Sequence, residues 1–531
     1  EEEPLKAGGA GRHGINEVKL IESGAANALK VFGGSHYLGT FGSDSEYSVL
    51  ADDGTASAST TVNATTVSLR VNRFKDSVVD STNAKTLTVG TFKEQYGGIS
   101  YHGNHVVNNT LTVTAAGAGL DAAYAGKNAG TAGKSTDNTV NIELTGTDAV
   151  ADVYGGALTD AANAGEVKTN HANLKRGEVG NLYVGYTSGA GDVTGNEATI
   201  TGGKVTSAVY GGYSAGAGKT TGNTVNLGDG STDELAAGTD LTAATLAGGS
   251  DAGDVTGNTL NVKARNVAVD KVKNFETYKF FLHANTSQEA TMLTIAQDGF
   301  GGSTARIDQD IALDGLAEWS EANKNRIFSR VELIKSGVAG ALKLSDRDAY
   351  IGAADGLERS VTVDDEATEN GGTVEATSVY LRMNRFKDGR QNYNGAEAPV
   401  MADGESEVYG GVSYHGNKTE DNELTVTGTP GGGELYAVYG GKTAGAAGGS
   451  ENNTVNVELG SGKIKNVYGG FIGDEANAAD VVGNKVNLKK GEVGVPFSAA
   501  LYGGYTEGAG TAKDNIVTIT GGEAKGFVTG G

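Results

Sequence analysis

Two phrases decide the fold: Val209-Tyr210-Gly211-Gly212 and, after a polar stretch, Asn223-Thr224-Val225-Asn226-Leu227. In the second, Val225 and Leu227 share one face of a strand while Thr224 and Asn226 take the other, the period of two that marks a half-buried strand. Both phrases recur. Val-Tyr-Gly-Gly returns at Val153–Gly156, Val408–Gly411, Val438–Gly441 and Val467–Gly470, with weaker copies around Tyr96, Tyr124, Tyr183 and Tyr502. The asparagine phrase returns from Asn138, Asn258, Asn453 and Asn484. The two alternate, and successive tyrosine phrases lie about 27 to 34 residues apart, the period of a solenoid or an array.

One such coil cannot bury its apolar face, but stacked coils can. The pattern therefore predicts an all-β parallel solenoid of roughly 18 coils, each of about 29 residues, with strands pairing about 4.8 Å apart along its axis. Tyr96, Tyr154, Tyr210, Tyr409, Tyr439, Tyr468 and Tyr502 are expected to stack as a column. Asn138, Asn223, Asn258, Asn453 and Asn484 are expected to stack as a ladder. The paired glycines, such as Gly469 and Gly470, read as sharp corners at positive φ. Propeller blades need about 40 residues or more each, so these repeats are too short for one.

A longer repeat contains the short one. Ala64–Asp76 returns as Ala376–Asp388, Tyr96–Asn104 as Tyr409–Asn417, and Val18–Gly24 as Val331–Gly337, at an offset of about 313 residues. This reads as the tail of one unit over 1–15, a complete unit over 16–328 and part of another over 329–531. Within the complete unit, 266–328 lacks the tyrosine phrase and forms a joint. Its end, Leu316 to Phe328, reads as a short helix with Asp314 as N-cap. Both ends of the chain resemble cuts through a longer polypeptide.

Of the 531 residues 85 are glycine and 4 proline, cysteine is absent, and the net charge is −23. The hydrophobic share of 38% argues against the disorder that so much glycine would otherwise suggest. The absence of cysteine excludes disulfides and thiolate chemistry. The acidic balance argues against nucleic acid and anionic lipid as partners. No run approaches the roughly 20 apolar residues of a membrane helix, and no signal peptide opens the chain.

The alternating Tyr-Gly-Gly and Gly-Asn-x-Val phrases, with the insert Asn274–Leu282, Thr291–Ile295 and Val331–Ile334, resemble the passenger repeats of bacterial type V autotransporter adhesins. That resemblance implies a right-handed parallel β-helix, secretion through a C-terminal β-barrel and adhesion at the cell surface. It implies an extracellular protein held at the outer membrane through a region outside this chain, because no run of barrel strands occurs in it.

Few residues suggest chemistry. Gly212-Tyr-Ser-Ala-Gly216 matches a nucleophile elbow but lacks a following helix. Gly133-Lys-Ser135 mimics the end of a phosphate loop without its first glycine. His102 and His415 occupy equivalent places and read as turn histidines; His105 is replaced by Lys418 in the second copy. Arg70, Arg73 and Lys75, repeated as Arg382, Arg385 and Lys387, form a basic cluster that reads either as a docking patch for an acidic partner or as internal ion pairs. Asp52-Asp53 and Asp364-Asp365-Glu366 are weak Ca²⁺ candidates, and no other cofactor is implied. The expectation is a non-enzymatic adhesive or structural fibre that meets a host or bacterial receptor or glycan through loops such as 163–173 and 228–241. The alternatives are a filament self-associating end to end and a carbohydrate-active enzyme on a β-helix.

Overall fold

The computed structural model describes residues 14–52, 61–81, 86–89, 92–116, 119–146, 148–287, 290–364, 366–395, 406–495 and 500–531. They fall into two compact units. The first comprises the described residues of Glu1–Leu282, Thr291–Asp314 and Ile334–Lys343, and the second those of His283–Ala290, Gly315–Leu333 and Leu344–Gly531.

The chain is a β-solenoid of about 14 turns. One coil of the first unit runs through strands Ser135–Thr136, Thr139–Glu143 and Ala149–Leu158. Successive coils stack these into sheets of five, nine and eight strands. All pairings in them are parallel except that of Leu87–Val89 with Phe92–Ser100. The register superposes like on like: Val140 lies between Leu111 and Ala172, and Tyr154 between Tyr124 and Tyr183. Alternation then does what it predicts. Val140, Ile142, Val153, Leu174, Val179 and Leu182 are fully buried, each such side chain contributing roughly 1.5–3 kcal/mol. The second unit repeats the scheme, and its strand Thr454–Ile472 carries two faces of one coil without a break.

The count of roughly 18 coils predicted from length is too high, because the start of each long repeat is not coiled. In the first unit Ser35–Phe41, Ser45–Ala51 and Thr66–Arg73 pair antiparallel, joined by Ile15–Glu22 at the edge. In the second, Asp348–Ala354, Leu357–Val363 and Ser378–Arg385 do the same. These runs lack the tyrosine and asparagine phrases, and Ser35–Phe41 pairs with Ser45–Ala51, as Asp348–Ala354 does with Leu357–Val363, across a tight turn. Even the irregularity is copied: a bulge falls at Gly39 (φ 118°) and again at Gly352 (φ 133°).

Two local expectations are corrected. The glycines of the tyrosine phrase are not corners; neither Gly469 nor Gly470 has positive φ, and both lie inside a strand. Positive φ is found one residue before the ladder asparagines, at Gly195, Gly222, Gly257 and Gly483, and there also at Asn108, Asp137, Asp421, Asn452 and Asp514. These are the residue types that tolerate the left-handed region. The helix spans Leu316–Asn323, and its N-cap is Gly315 (φ 69°, ψ 9°) rather than Asp314. Trp319 anchors it, wholly buried and donating through Nε1 to Thr286 O at 3.1 Å.

Candidate functional site

The repeated polar and aromatic residues are the natural candidates, and they occupy four arrangements. The first is the asparagine ladder. Asn138 Oδ1 accepts from the backbone N and Nδ2 of Asn109 at 3.1 and 2.8 Å. Its Nδ2 donates to Asn170 Oδ1 at 2.9 Å and to Val106 O at 3.3 Å. The chain of amides continues through Asn170, Asn196, Asn223 and Asn258. In the second unit it runs Asn422, Asn453, Asn484, Asn515. The sequence separations along the first ladder, 29, 32, 26, 27 and 35, are the coil lengths themselves. Asn109, Asn170, Asn196, Asn422 and Asn515 escape a search for the full phrase. Each is betrayed by the strand pattern after it and, except for Thr169 before Asn170, by a Gly, Asn or Asp ahead of it.

The second is the tyrosine column. Tyr96, Tyr124, Tyr154, Tyr183 and Tyr210 stack at centroid distances of 5.7, 4.4, 5.1 and 5.2 Å. Tyr409, Tyr439, Tyr468 and Tyr502 stack at 5.6, 5.1 and 5.1 Å. A second column that the sequence reading missed stands beside it: Tyr186 on Tyr213, and Phe471 on Tyr505. Its members lie three residues beyond a column tyrosine, and their edges meet the first column's rings. Burial pushes the Tyr186 hydroxyl above its usual range, helped by the Tyr213 hydroxyl.

A buried ion pair closes the base of each column. Lys127 Nζ donates to Glu94 Oε2 at 2.6 Å and lies 4.4 Å from the Tyr124 ring, while the Tyr96 hydroxyl donates to the same carboxylate. The second unit copies this: Lys442 Nζ to Glu407 Oε2 at 2.8 Å, Lys442 at 4.5 Å over Tyr439, and Tyr409 donating to Glu407. Burial pulls the Lys127 ammonium below its usual range, although Glu94 opposes that shift.

The fourth arrangement explains the recurring Ser-Tyr-His-Gly-Asn string. Glu46, fully buried in the antiparallel ribbon, accepts from Asn72 Nδ2, Ser100 Oγ, Tyr101 N and Asn104 Nδ2 at 3.1, 2.8, 2.7 and 2.8 Å. Glu358 accepts from Asn384 Nδ2, Ser413 Oγ, Tyr414 N and Asn417 Nδ2 at 3.1, 2.7, 2.6 and 2.8 Å. One carboxylate thus locks each ribbon to its first coil. The histidines lie beside it on tyrosines: His102 stacks on Tyr37 at 4.0 Å and His415 on Tyr350 at 4.7 Å.

The basic cluster is largely turned inward. Arg70 is buried against Glu17 at 3.5 Å, and Arg73 pairs with Asp44 at 2.5 Å and donates to Lys75 O. Arg382 pairs with Asp348 at 3.1 Å and covers the Tyr414 ring, Arg385 donates to Lys324 O and Lys387 O, and Lys387 meets Glu420 at 3.3 Å. Lys75 is half-buried, its backbone bridged to Val107. Of the acidic runs, Asp52 and Asp364 accept backbone N–H groups of Thr65, Thr66, Thr377 and Ser378; Glu366 is exposed, and Asp53 and Asp365 lie outside the described residues. Among the described residues no group of three or more His, Asp or Glu side chains could hold a metal ion.

Ser214 is buried at a strand end and donates to Gly189 O, and Ser135 donates to Gly126 O. The loop at 163 is pinned by Asn163, fully buried, whose Nδ2 donates to Gly130 O and Ala132 O. Asp233 and Glu234 of the other named loop are held by Arg265 at 3.0 and 2.8 Å. The chain matches no protein-family model, no curated protein and no solved structure.

What faces solvent is the outer part of the aromatic columns. Tyr183, Tyr186, Tyr210 and Tyr213 are half-buried, flanked by Asp152, which accepts from Asn181 Nδ2 at 2.9 Å. In the second unit half-buried Tyr468 and Tyr502 and exposed Tyr505 form the equivalent ledge, over the buried Phe471. Tyrosine-rich faces of this kind offer large contact area with little rotamer entropy to lose.

Proposed function

We propose that this chain is a stretch of a non-enzymatic, extracellular fibre at a bacterial cell surface, structural along its length and adhesive through its aromatic ledges. The observation that carries the reading is what the duplicated residues do. The ladder amides, the Tyr96 and Tyr409 hydroxyls, the buried Glu–Lys pairs and the Glu46/Glu358 locks are all engaged with their own chain. A catalytic centre would leave a duplicated polar group pointing into a cleft; a scaffold closes such groups on itself. The resemblance to autotransporter passengers supports the same reading and adds export to the outer surface through a region outside this chain. The partner is a receptor or glycan that packs on tyrosine rings and takes hydrogen bonds from their hydroxyls.

The test is attachment. Beads coated with the chain are applied to host epithelial cells and to a glycan array, beside beads carrying Tyr186→Ser/Tyr213→Ser/Tyr505→Ser. Binding that the triple variant loses, with its circular dichroism unchanged, supports the reading. Equal binding by both, or cleavage of an arrayed glycan, overturns it.

A further inference from the structure

The two copies of the long repeat differ at one face, and the difference identifies what belongs there. Val18, Leu20 and Ile21 are 41%, 53% and 54% exposed, whereas their counterparts Val331, Leu333 and Ile334 are each 0% exposed. Further along, Leu29 and Val31 are half-buried, and their counterparts Leu342 and Leu344 are fully buried. The apolar residues compared are the same in the two copies except for Val31 against Leu344, so their identity does not explain the contrast. Among the described residues Ile15–Glu22 is moreover the edge of its sheet, next to Thr66–Arg73. An apolar strand at a sheet edge is a template for another strand.

In the second copy that template is filled. Glu332 N donates to Ala290 O at 3.3 Å, Gly337 N to Ile295 O at 2.7 Å, and Ser336 Oγ to Asp298 O at 3.0 Å. Ala305 N donates to Lys343 O at 2.9 Å. Thr291–Ile295 pairs parallel with Val267–Val269, and its end and the loop after it hold the turn at Ser336 and Gly337. Met292, Leu293 and Ile295 are buried. The joint is therefore a lid of strand and loop, and the positions it would engage on the first copy are Lys19, Ser23, Gly24 and Lys30.

We infer that the edge Ile15–Glu22 is an acceptor for a further copy of this joint segment, a strand of the type Thr291–Ile295 with its following loop, supplied by another long repeat of the same polypeptide. The added segment then gives the edge Ile15–Glu22 the partner strand it lacks among the described residues. Recognition is by backbone pairing along the edge and by Met, Leu and Ile side chains over Val18, Leu20, Ile21, Leu29 and Val31. This rests on the burial contrast alone and stands whether or not the fibre is adhesive.

The experiment replaces residues 1–13 of the chain with an added copy of residues 266–327 joined ahead of residue 14, and follows amide hydrogen exchange of Ile15–Glu22 by mass spectrometry. The expected result is exchange at Val18–Ile21 slowed by about tenfold or more relative to the unextended chain. The slowing should be lost when the added copy carries Leu293→Asp and Ile295→Asp. Since the added copy could fail to fold, the unextended chain is also mixed with a synthetic peptide of residues 290–306, and saturable protection of the same amides, lost in Leu20→Lys, is expected. Unchanged exchange in both arms overturns the proposal. So does a dimer of the unextended chain that Leu20→Lys dissolves, because the occupant is then the same edge of a second molecule.

Discussion

The Cβ that Gly470 lacks would lie 2.4 Å from Nδ2 of Asn484, so the amide of this ladder residue is seated against the second glycine of the tyrosine phrase before it. The same relation joins Gly126 to Asn138, Gly156 to Asn170 and Gly441 to Asn453, at 2.4, 2.4 and 2.5 Å. Tyr-Gly-Gly and Gly-Asn-x-Val are therefore two halves of one contact. Gly470→Ala should push Asn484 off the ladder, with an overpacking cost of about 1–3 kcal/mol plus that of any hydrogen bond lost. Gly24→Ala is the control: a Cβ there meets nothing within 4 Å, and stability should change by less than about 1 kcal/mol. Hydrogen exchange of the surrounding strands reads both, since a stacked array need not unfold in one step. Equal protection in the two variants would show that the contact has room to give.

Asn453 is the sharper test of the ladder. Its Oδ1 takes the N and Nδ2 of Asn422 at 3.1 and 2.7 Å, and its Nδ2 serves Asn484 Oδ1 and Thr419 O at 2.9 and 3.1 Å. Asn453→Leu fills the volume but strands several buried groups, each worth about 1–3 kcal/mol. Asn453→Asp keeps the acceptor and loses the donor, turning a carboxylate oxygen toward Asn484 Oδ1. Both should lower the unfolding midpoint, and exchange should rise at Thr419–Glu420 and Ser450–Glu451, the short sheet beside the ladder. A shift confined to the coil of residue 453 would show that the amides do not act as a chain.

Period-two alternation made the stacked coils legible, because Val225 and Leu227 fall on the buried face as their spacing demands. The ladder and column were legible for a related reason: a residue recurring once per coil must superpose on itself when coils stack in register. The glycines were misread because two physical causes favour the same residue. Positive φ and close approach both select Gly, and only the neighbour across the coil, Asn484 for Gly470, tells them apart. Glu46 and Glu358 were invisible because their donors lie more than 50 residues away in sequence at Ser100 and Ser413, a separation of 54 and 55. The antiparallel ribbons were missed for want of a phrase, since nothing in Ser35–Ala51 repeats within its own copy.

The Glu358 cage predicts a local effect. Glu358→Gln replaces one acceptor oxygen with an NH₂ group that faces donors, costing about 3 kcal/mol as charge-assisted bonds are lost. The ribbon should loosen from the first coil of its unit while the ladder stays intact. Faster exchange in Ser378–Arg385 with unchanged exchange in Thr454–Ile472 is the expected readout, and Glu46→Gln should do the same to Thr66–Arg73. Uniform loss of protection throughout the unit would mean that ribbon and coils unfold together.

The tyrosine columns set the alkaline limit of the fold. Burial raises Tyr96, Tyr124, Tyr154 and Tyr183 above their ordinary value of 10.0, and the neighbouring Glu94, Asp152 and stacked hydroxyls add to it. Tyr409, Tyr439 and Tyr468 are raised for the same first cause. A group whose folded pKa lies above its unfolded one holds its proton longer in the folded state. Its stabilisation is therefore complete below pH 10.0 and is lost as pH rises beyond it. Lys127 has the opposite sign, since its depressed pKa makes folding more favourable as pH rises toward its ordinary value of 10.5, but it is one group against seven. Stability should hold to about pH 10 and then fall steeply. Read as phenolate absorbance, the seven raised tyrosines should ionise only as near-ultraviolet dichroism collapses. One smooth wave centred near 10.0 with the dichroism retained would show that water reaches the columns, and that stacking does not hold them closed.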